Sequence, residues 1–222
     1  MKHLYGLPLP ENPNPQNLVF VFDLHKVILH RSKRSICWFF FRRLVIRSGF
    51  VQYIFNPVFW VRLLKARYQT GVTDDIFERL LVYYPKLKKY RADFVALENL
   101  QAPNSTVVNV IRTLKAKGYR IYLLSNVGHT ACSQLRLTMD SLFAHFDGLF
   151  YPTREQGYLQ KPDPAFYKAF LKQFQFDESM REQRVLFIDD NFLNISVAAQ
   201  LGFSSLHFKS PRQLALLVNN LV

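Results

Sequence analysis

The sequence predicts an α/β fold: a three-layer, Rossmann-like parallel sheet core carrying an inserted, mostly helical cap. Three observations lead there. Apolar runs of strand length alternate with helix-compatible stretches along most of the chain, the pattern of a parallel sheet covered on both faces. Two of those runs, LVFVFD at 18–23 and RVLFID at 184–189, end in aspartate, where open α/β sheets place their ligands. Between residues 28 and 103 the alternation stops, and long apolar and basic stretches replace it.

The opening stretch, MKHLYGLPLPENPNPQN, has no long apolar segment and no small-residue cleavage site, so it reads as an ordered or loose lead-in. LVFVFD is the first strand. After the insert comes the helix-compatible TVVNVIRTLKAK, with Gly118 where a helix C-terminus needs a left-handed residue, and then the strand YRIYLLS at 119–125. TACSQLRLTM is helix-compatible and DGLFYP, 147–152, is a weaker strand. DPAFYKAFLKQF opens a helix with Asp163 as N-cap and Pro164 in the first turn. RVLFID, the helix-compatible NFLNISVAAQLG and the strand SSLHF at 204–208 come next, and Ser210-Pro211 opens a terminal helix.

Within the insert, Asn56-Pro57 and Thr73 before Asp74 and Asp75 read as helix starts. The longest unbroken apolar run, ICWFFF, has six residues, and Arg42, Arg43 and Arg47 interrupt the stretch after it. A membrane-spanning helix needs roughly 20. Packing as a helical cap is expected, in preference to an interfacial basic helix. The expected division is a core of residues 1–27 and 104–222 with a cap at 28–103.

The chain has 222 residues, 49% hydrophobic and 20% charged, which places it among soluble globular proteins. Its two cysteines, Cys37 and Cys132, form no CxxC pair. They argue against a disulfide scaffold or structural zinc site and fit a reducing compartment, so a cytoplasmic location is expected. Charge is concentrated: residues 26–91 hold fifteen Lys and Arg against three acidic residues, a balance of +12 out of the formal +13. The same segment holds fourteen of the 34 aromatic residues. This asymmetry implies an anionic partner for the insert. Nucleic acid stays open as that partner, because basic and aromatic residues are interleaved, although no recognised binding motif appears.

Four motifs stand in order along the remainder: DLHKV at 23–27, LLSN at 123–126, KPDP at 161–164 and FIDDNFLN at 187–194. In this the chain resembles the haloacid dehalogenase-like hydrolases, mostly Mg²⁺-dependent phosphatases, and specifically those with a helical cap inserted after the first strand. The resemblance runs from about residue 18 to the C-terminus, with the insert lacking motif support. It implies Asp23 as the nucleophile that forms an aspartyl-phosphate. It implies Mg²⁺ held by Asp23, Asp190 and the backbone carbonyl of His25, with Asp189 either a ligand or a partner that orients one. Ser125 and Asn126 would contact the phosphoryl group, Lys161 would supply the positive charge near nucleophile and oxyanion, and Asn194 would support the metal shell.

Two residues depart from the pattern. His25 stands where the family's second aspartate serves as general acid and base, and Lys26 replaces a frequent glycine. An imidazole, with a reference pKa of about 6.5, donates and accepts protons near neutrality, but Mg²⁺ disfavours its cationic form. The expected function is therefore hydrolysis of an organic phosphomonoester with an apolar or aromatic portion. The alternative is a catalytically weakened member that binds a phosphorylated or polyanionic partner through its basic cap.

Overall fold

The computed structural model describes residues 3–32, 37, 39, 41, 51–68, 76–98, 100–176 and 184–221. Eight strands are found among them: β1 (Leu4–Gly6), β2 (Leu18–Phe22), β3 (Leu29–Arg31), β4 (Gln101–Pro103), β5 (Arg120–Leu124), β6 (Gly148–Phe150), β7 (Arg184–Asp189) and β8 (Ser204–His207). Six form one sheet in the order β1-β8-β7-β2-β5-β6. β8, β7, β2, β5 and β6 are mutually parallel, as the alternation of strands and helices requires.

β2 lies at the centre, and all five of its residues are fully buried. Successive side chains leave opposite faces of a strand. Leu18, Phe20 and Phe22 accordingly join one apolar cluster, and Val19 and Val21 join the other. The first cluster is closed by α5 (Ser105–Ala116), α6 (His129–Thr138), α7 (Asp140–Phe143) and α10 (Pro211–Leu221); the second by α8 (Pro164–Gln173) and α9 (Phe192–Gln200). Three layers result.

The local start and stop signals work as their chemistry dictates. Asp163 accepts from the Ala165 N–H at 2.8 Å with Pro164 in the first turn, and Asn104 caps α5 by accepting from Val107. Gly118 takes a φ of +84° just past α5, where the Tyr119 N–H reaches back to the Leu114 carbonyl at 3.0 Å.

Two features were not legible beforehand. The lead-in is an edge strand: β1 pairs antiparallel with β8 at the margin of the parallel sheet, which makes the six-stranded sheet mixed. Gly6, at φ +80°, sits so close to the chain that an added Cβ would lie 2.0 Å from the Phe203 carbonyl oxygen. The second feature is an antiparallel ribbon, β3 with β4, formed where the chain enters and leaves the insert. The Asn104 N–H donates to the Ile28 carbonyl at 2.8 Å beside it, tying the two crossings together.

The insert is helical wherever it lies between these ribbon strands and is described by more than isolated residues: α1 (Val51–Ile54), α2 (Pro57–Tyr68), α3 (Ile76–Tyr83), a 3₁₀ turn at Pro85–Tyr90 and α4 (Arg91–Glu98). Asn56 caps α2 by accepting from the Val58 N–H at 2.9 Å, as Asn56-Pro57 predicts. The helix start expected at Thr73 lies outside the described residues, as does most of 35–50. The insert has a core of its own, in which Phe39, Tyr53, Phe59, Phe77, Leu80 and Leu87 pack together. Among the described residues, no helix is long and apolar enough to cross a membrane.

Candidate active site

The parallel strands end at one edge of the sheet, and four polar positions lie directly at or after their ends. Asp23 leaves β2 with its N–H still bonded across to the Ile188 carbonyl of β7 at 2.9 Å, so the ladder fixes where the carboxylate starts. Ser125 comes just after β5, its N–H donating to the Phe150 carbonyl at 3.0 Å. Asp189 ends β7 and Asp190 is the next residue. The strands' apolar length buries these groups with them: Ser125 and Asp189 are fully buried and Asp23 nearly so, while Asp190 is half-buried.

Lys161 comes in from the segment between β6 and α8 and is buried to within 1% of its surface. Its ammonium donates to Asp23 Oδ1 and to Asp189 Oδ2, each at 2.7 Å, and lies 5.3 Å from the centre of the Phe187 ring. A buried lysine is tolerable because two carboxylates share its charge. Asn126 holds its backbone from both sides, accepting from the Lys161 N–H at 2.7 Å and donating to its carbonyl at 2.8 Å. The Asn126 side chain thus places the lysine, and the phosphate contact expected of Asn126 falls to its backbone N–H or to the same amide.

Asp189 is surrounded by donors. Oδ1 accepts from the Asn191 N–H at 2.7 Å, and Oδ2 accepts from both Lys161 and Asn194 Nδ2, the latter at 3.0 Å. Asp190 differs: its Oδ2 faces the exposed Lys26 ammonium at 3.1 Å. Lys26 reaches it from a left-handed backbone conformation, φ +63°, in the turn after β2.

His25, two residues past Asp23, is partly buried, with Nδ1 2.6 Å from the Oε1 of Gln101. An amide oxygen only accepts, so the proton of a neutral imidazole resides on Nδ1 and the lone pair on Nε2. Gln101 belongs to β4 and is itself buried. Nothing in the sequence marked it, because a lone glutamine acquires this neighbour only through the β3–β4 ribbon, 76 positions from His25. The Lys26–Asp190 pair was equally invisible, although Lys26 itself stood out.

A model of haloacid dehalogenase-like hydrolases matches residues 19–202. The chain belongs to this family. Among curated proteins, this member is 31% identical over 120 residues to the sesquiterpene phosphatase astK of Aspergillus oryzae, a match covering 54% of this chain and 58% of that protein. It is 24% identical over 155 residues to mouse acyl-CoA dehydrogenase family member 10, covering 68% of this chain and 14% of that protein. Its fold matches a HAD family enzyme of Bacteroides thetaiotaomicron solved with magnesium and inorganic phosphate (TM-score 0.59, 18% identity, 87% of this chain and 94% of that one). It also matches the L-2-haloacid dehalogenase of Xanthobacter autotrophicus with chloropropionic acid covalently bound (TM-score 0.59, 18% identity, 84% and 75%).

For a haloacid dehalogenase-like hydrolase the donor set is apt. Asp23, Asp189 and Asp190 bring one carboxylate oxygen each within 4.8 Å of one another, an all-oxygen set suited to a hard divalent cation. At the site, Ser125 Oγ and Asn194 Oδ1, two of five such buried side-chain atoms, have no hydrogen-bond partner among the described residues, a costly state that an oxyanion and a hydrated cation would relieve. Burial raises the Asp23 carboxyl to about 6; the Lys161 ammonium pulls it down and Asp189 pushes it up. Burial also works against the Lys161 ammonium, but Asp189 and Asp23 outweigh it and hold its pKa above the ordinary value. Burial drives the phenol of Tyr167, which donates to the Asn194 carbonyl, far above its usual range.

Proposed function

We propose that this protein is a Mg²⁺-dependent phosphomonoester hydrolase acting through an aspartyl-phosphate at Asp23, with 1–27 and 104–222 as its core and 28–103 as its cap. The observation that carries the reading is Lys161, bonded at 2.7 Å to both Asp23 and Asp189, with the Ser125 hydroxyl at the end of the neighbouring strand β5 unpartnered among the described residues. That arrangement aims a nucleophilic carboxylate, whose ionised form Lys161 favours against the effect of burial, while a donor waits for a phosphoryl oxygen.

Asp23, Asp190 and the His25 carbonyl would hold Mg²⁺, which supplies Lewis acidity and charge neutralisation at the phosphate. Asp189 is assigned to orienting Lys161 rather than to the cation, since both its oxygens already accept hydrogen bonds. Asp23 attacks phosphorus, the ester P–O bond breaks, and the alcohol leaves with a proton. Water then attacks the aspartyl-phosphate and passes its proton to Nε2 of His25, regenerating Asp23 and releasing phosphate. The Nδ1–H bond to Gln101 leaves the lone pair on Nε2, which suits the second step. In the first step the same ring serves when protonated.

The substrate is an organic phosphate with an apolar portion. Likeness to a sesquiterpene phosphatase supports that class, and so does the aromatic content of the insert. A reducing compartment, hence the cytoplasm, suits the free thiols of Cys37 and Cys132.

A second reading is favoured by the Lys26–Asp190 pair and by His25: a member that binds a phosphorylated or polyanionic partner with little turnover. Steady-state phosphate release separates them. Native protein, Asp23→Asn, His25→Ala and His25→Asp are compared with an aryl phosphate and a prenyl phosphate. The hydrolase reading expects Mg²⁺-dependent release from native protein, a large fall in His25→Ala and none from Asp23→Asn. No release from native protein with either ester, in the presence of bound Mg²⁺, establishes the second reading.

A further inference from the structure

The apolar surface of this protein is unevenly placed. Among the described residues, eight of the fourteen large apolar side chains left exposed lie between positions 41 and 83, inside the insert. Four of them share one helix. Val58, Trp60, Val61 and Leu64 recur at spacings of three and four along α2 and are 46 to 56% exposed. Phe59 and Ala66, on the opposite side, are buried in the core of the insert. A surface helix of a globular protein ordinarily turns a polar face to water. This one is apolar on both sides, and Phe55 just ahead of it is 80% exposed.

Basic groups border that face. Lys65 is exposed on the same helix, and the Arg62 guanidinium lies 5.1 Å from the centre of the Tyr83 ring, joining α2 to the exposed end of α3. The whole segment 26–91 carries a balance of +12 in the sequence. Apolar and aromatic side chains rimmed by lysine and arginine are the composition of a surface that enters the headgroup boundary of a membrane. A purely apolar partner would leave the charge unused, and a purely polyanionic one would leave Trp60, Val61 and Leu64 in water.

We propose that the outer face of α2, with its basic border, docks the cap on an anionic lipid surface. Insertion of Val58, Trp60, Val61 and Leu64 into the acyl boundary supplies apolar burial. Lys65 and Arg62 supply attraction to acidic headgroups, within a segment whose sequence carries +12. The inference stands on the cap alone and does not depend on the chemistry at Asp23.

The test is co-sedimentation of the full chain with vesicles of phosphatidylcholine alone and of phosphatidylcholine with phosphatidylserine, at low and high salt. Binding to the mixed vesicles is expected to exceed binding to neutral ones and to weaken with salt. Lys65→Ala should weaken it about fivefold, the effect of one basic residue near a charged bilayer. The triple variant Trp60→Ser, Val61→Ser, Leu64→Ser should abolish it. All four positions are at the surface, and the circular dichroism and thermal midpoint of each variant verify that it folds. Equal binding to neutral and mixed vesicles overturns the proposal, as does no binding to either. Concentration-dependent self-association, lost in the triple variant without any vesicle binding, overturns it in favour of a second copy as occupant.

Discussion

The sheet edge and the insert treat charge in opposite ways. At the sheet edge, one lysine is buried to 1% exposure and held by two carboxylates at 2.7 Å, each of which is itself positioned by a strand end. In the insert, Lys65, Lys86, Lys88, Lys89 and Arg91 are exposed among the described residues, and apolar side chains lie open beside them. One site is short of water and rich in partners. The other is rich in water and short of acidic ones. A single charge is therefore expected to weigh more on stability at the sheet edge than in the insert.

The sharpest way to break that contrast is to remove the buried charge. Lys161→Met leaves Asp23 and Asp189 facing each other without their shared cation. Breaking a buried pair costs about 3–5 kcal/mol, and urea unfolding should read a loss of that order together with abolished phosphate release. Lys88→Met, at an exposed position in the insert, should stay within about 0.5 kcal/mol of the parent. Equal effects at the two positions would erase the distinction.

The nucleophile tests the same contrast through pH. With its pKa raised from 3.8 to about 6, Asp23 retains its proton in the folded chain over a range where the unfolded chain has lost it. The stability this contributes is complete below 3.8 and is lost as pH rises through about 6. In chelator, the unfolding free energy of the parent should therefore fall across that window relative to Asp23→Asn, which has no proton to lose. Added Mg²⁺ should narrow the window, because a cation beside Asp23 favours its ionised form. Parallel profiles for the two proteins would mean that Asp23 is not held in a dry site.

Ser125→Ala removes a hydroxyl with no hydrogen-bond partner among the described residues. Its stability should be unchanged or slightly raised, while turnover falls about 10²-fold, the loss typical of one donor to a developing oxyanion. Reduced stability with intact turnover would make Ser125 a packing residue.

The two regions were also unequally legible. Strand ends with Asp23 and Asp189-Asp190, the Asp163-Pro164 start and Gly118 were all readable, because each depends on chemistry within a few residues. β1 was not: three residues are too few to show a two-residue period, and only pairing with β8 makes Leu4–Gly6 a strand. The partner of the Asn126 side chain is hidden for a similar reason. Its position after β5 points to the phosphate, whereas its bonds to the Lys161 peptide, 35 residues on, arise only from the fold. Gln101 and the Lys26–Asp190 pair carry no local mark at all, since both arise from where the ribbon and the turn after β2 bring distant chain together.

Gln101 gives the smallest effect and the most specific one, because it belongs to the return crossing from the insert yet touches a residue of the site. If its Oε1 fixes the His25 tautomer, Gln101→Leu frees Nδ1 to lose its proton to Nε2, and the fraction of rings with the useful lone pair drops. Loss of one such bond is worth about a factor of ten. That loss should fall on hydrolysis of the aspartyl-phosphate more than on its formation, so single-turnover burst amplitude should rise as steady-state rate falls. Gln101→Glu retains an acceptor for Nδ1–H and should restore the rate. Nitrogen NMR of the His25 ring at one pH reads the tautomer directly. A burst and steady state that fall together, with an unchanged tautomer, would reduce Gln101 to a structural tie between β3–β4 and the sheet.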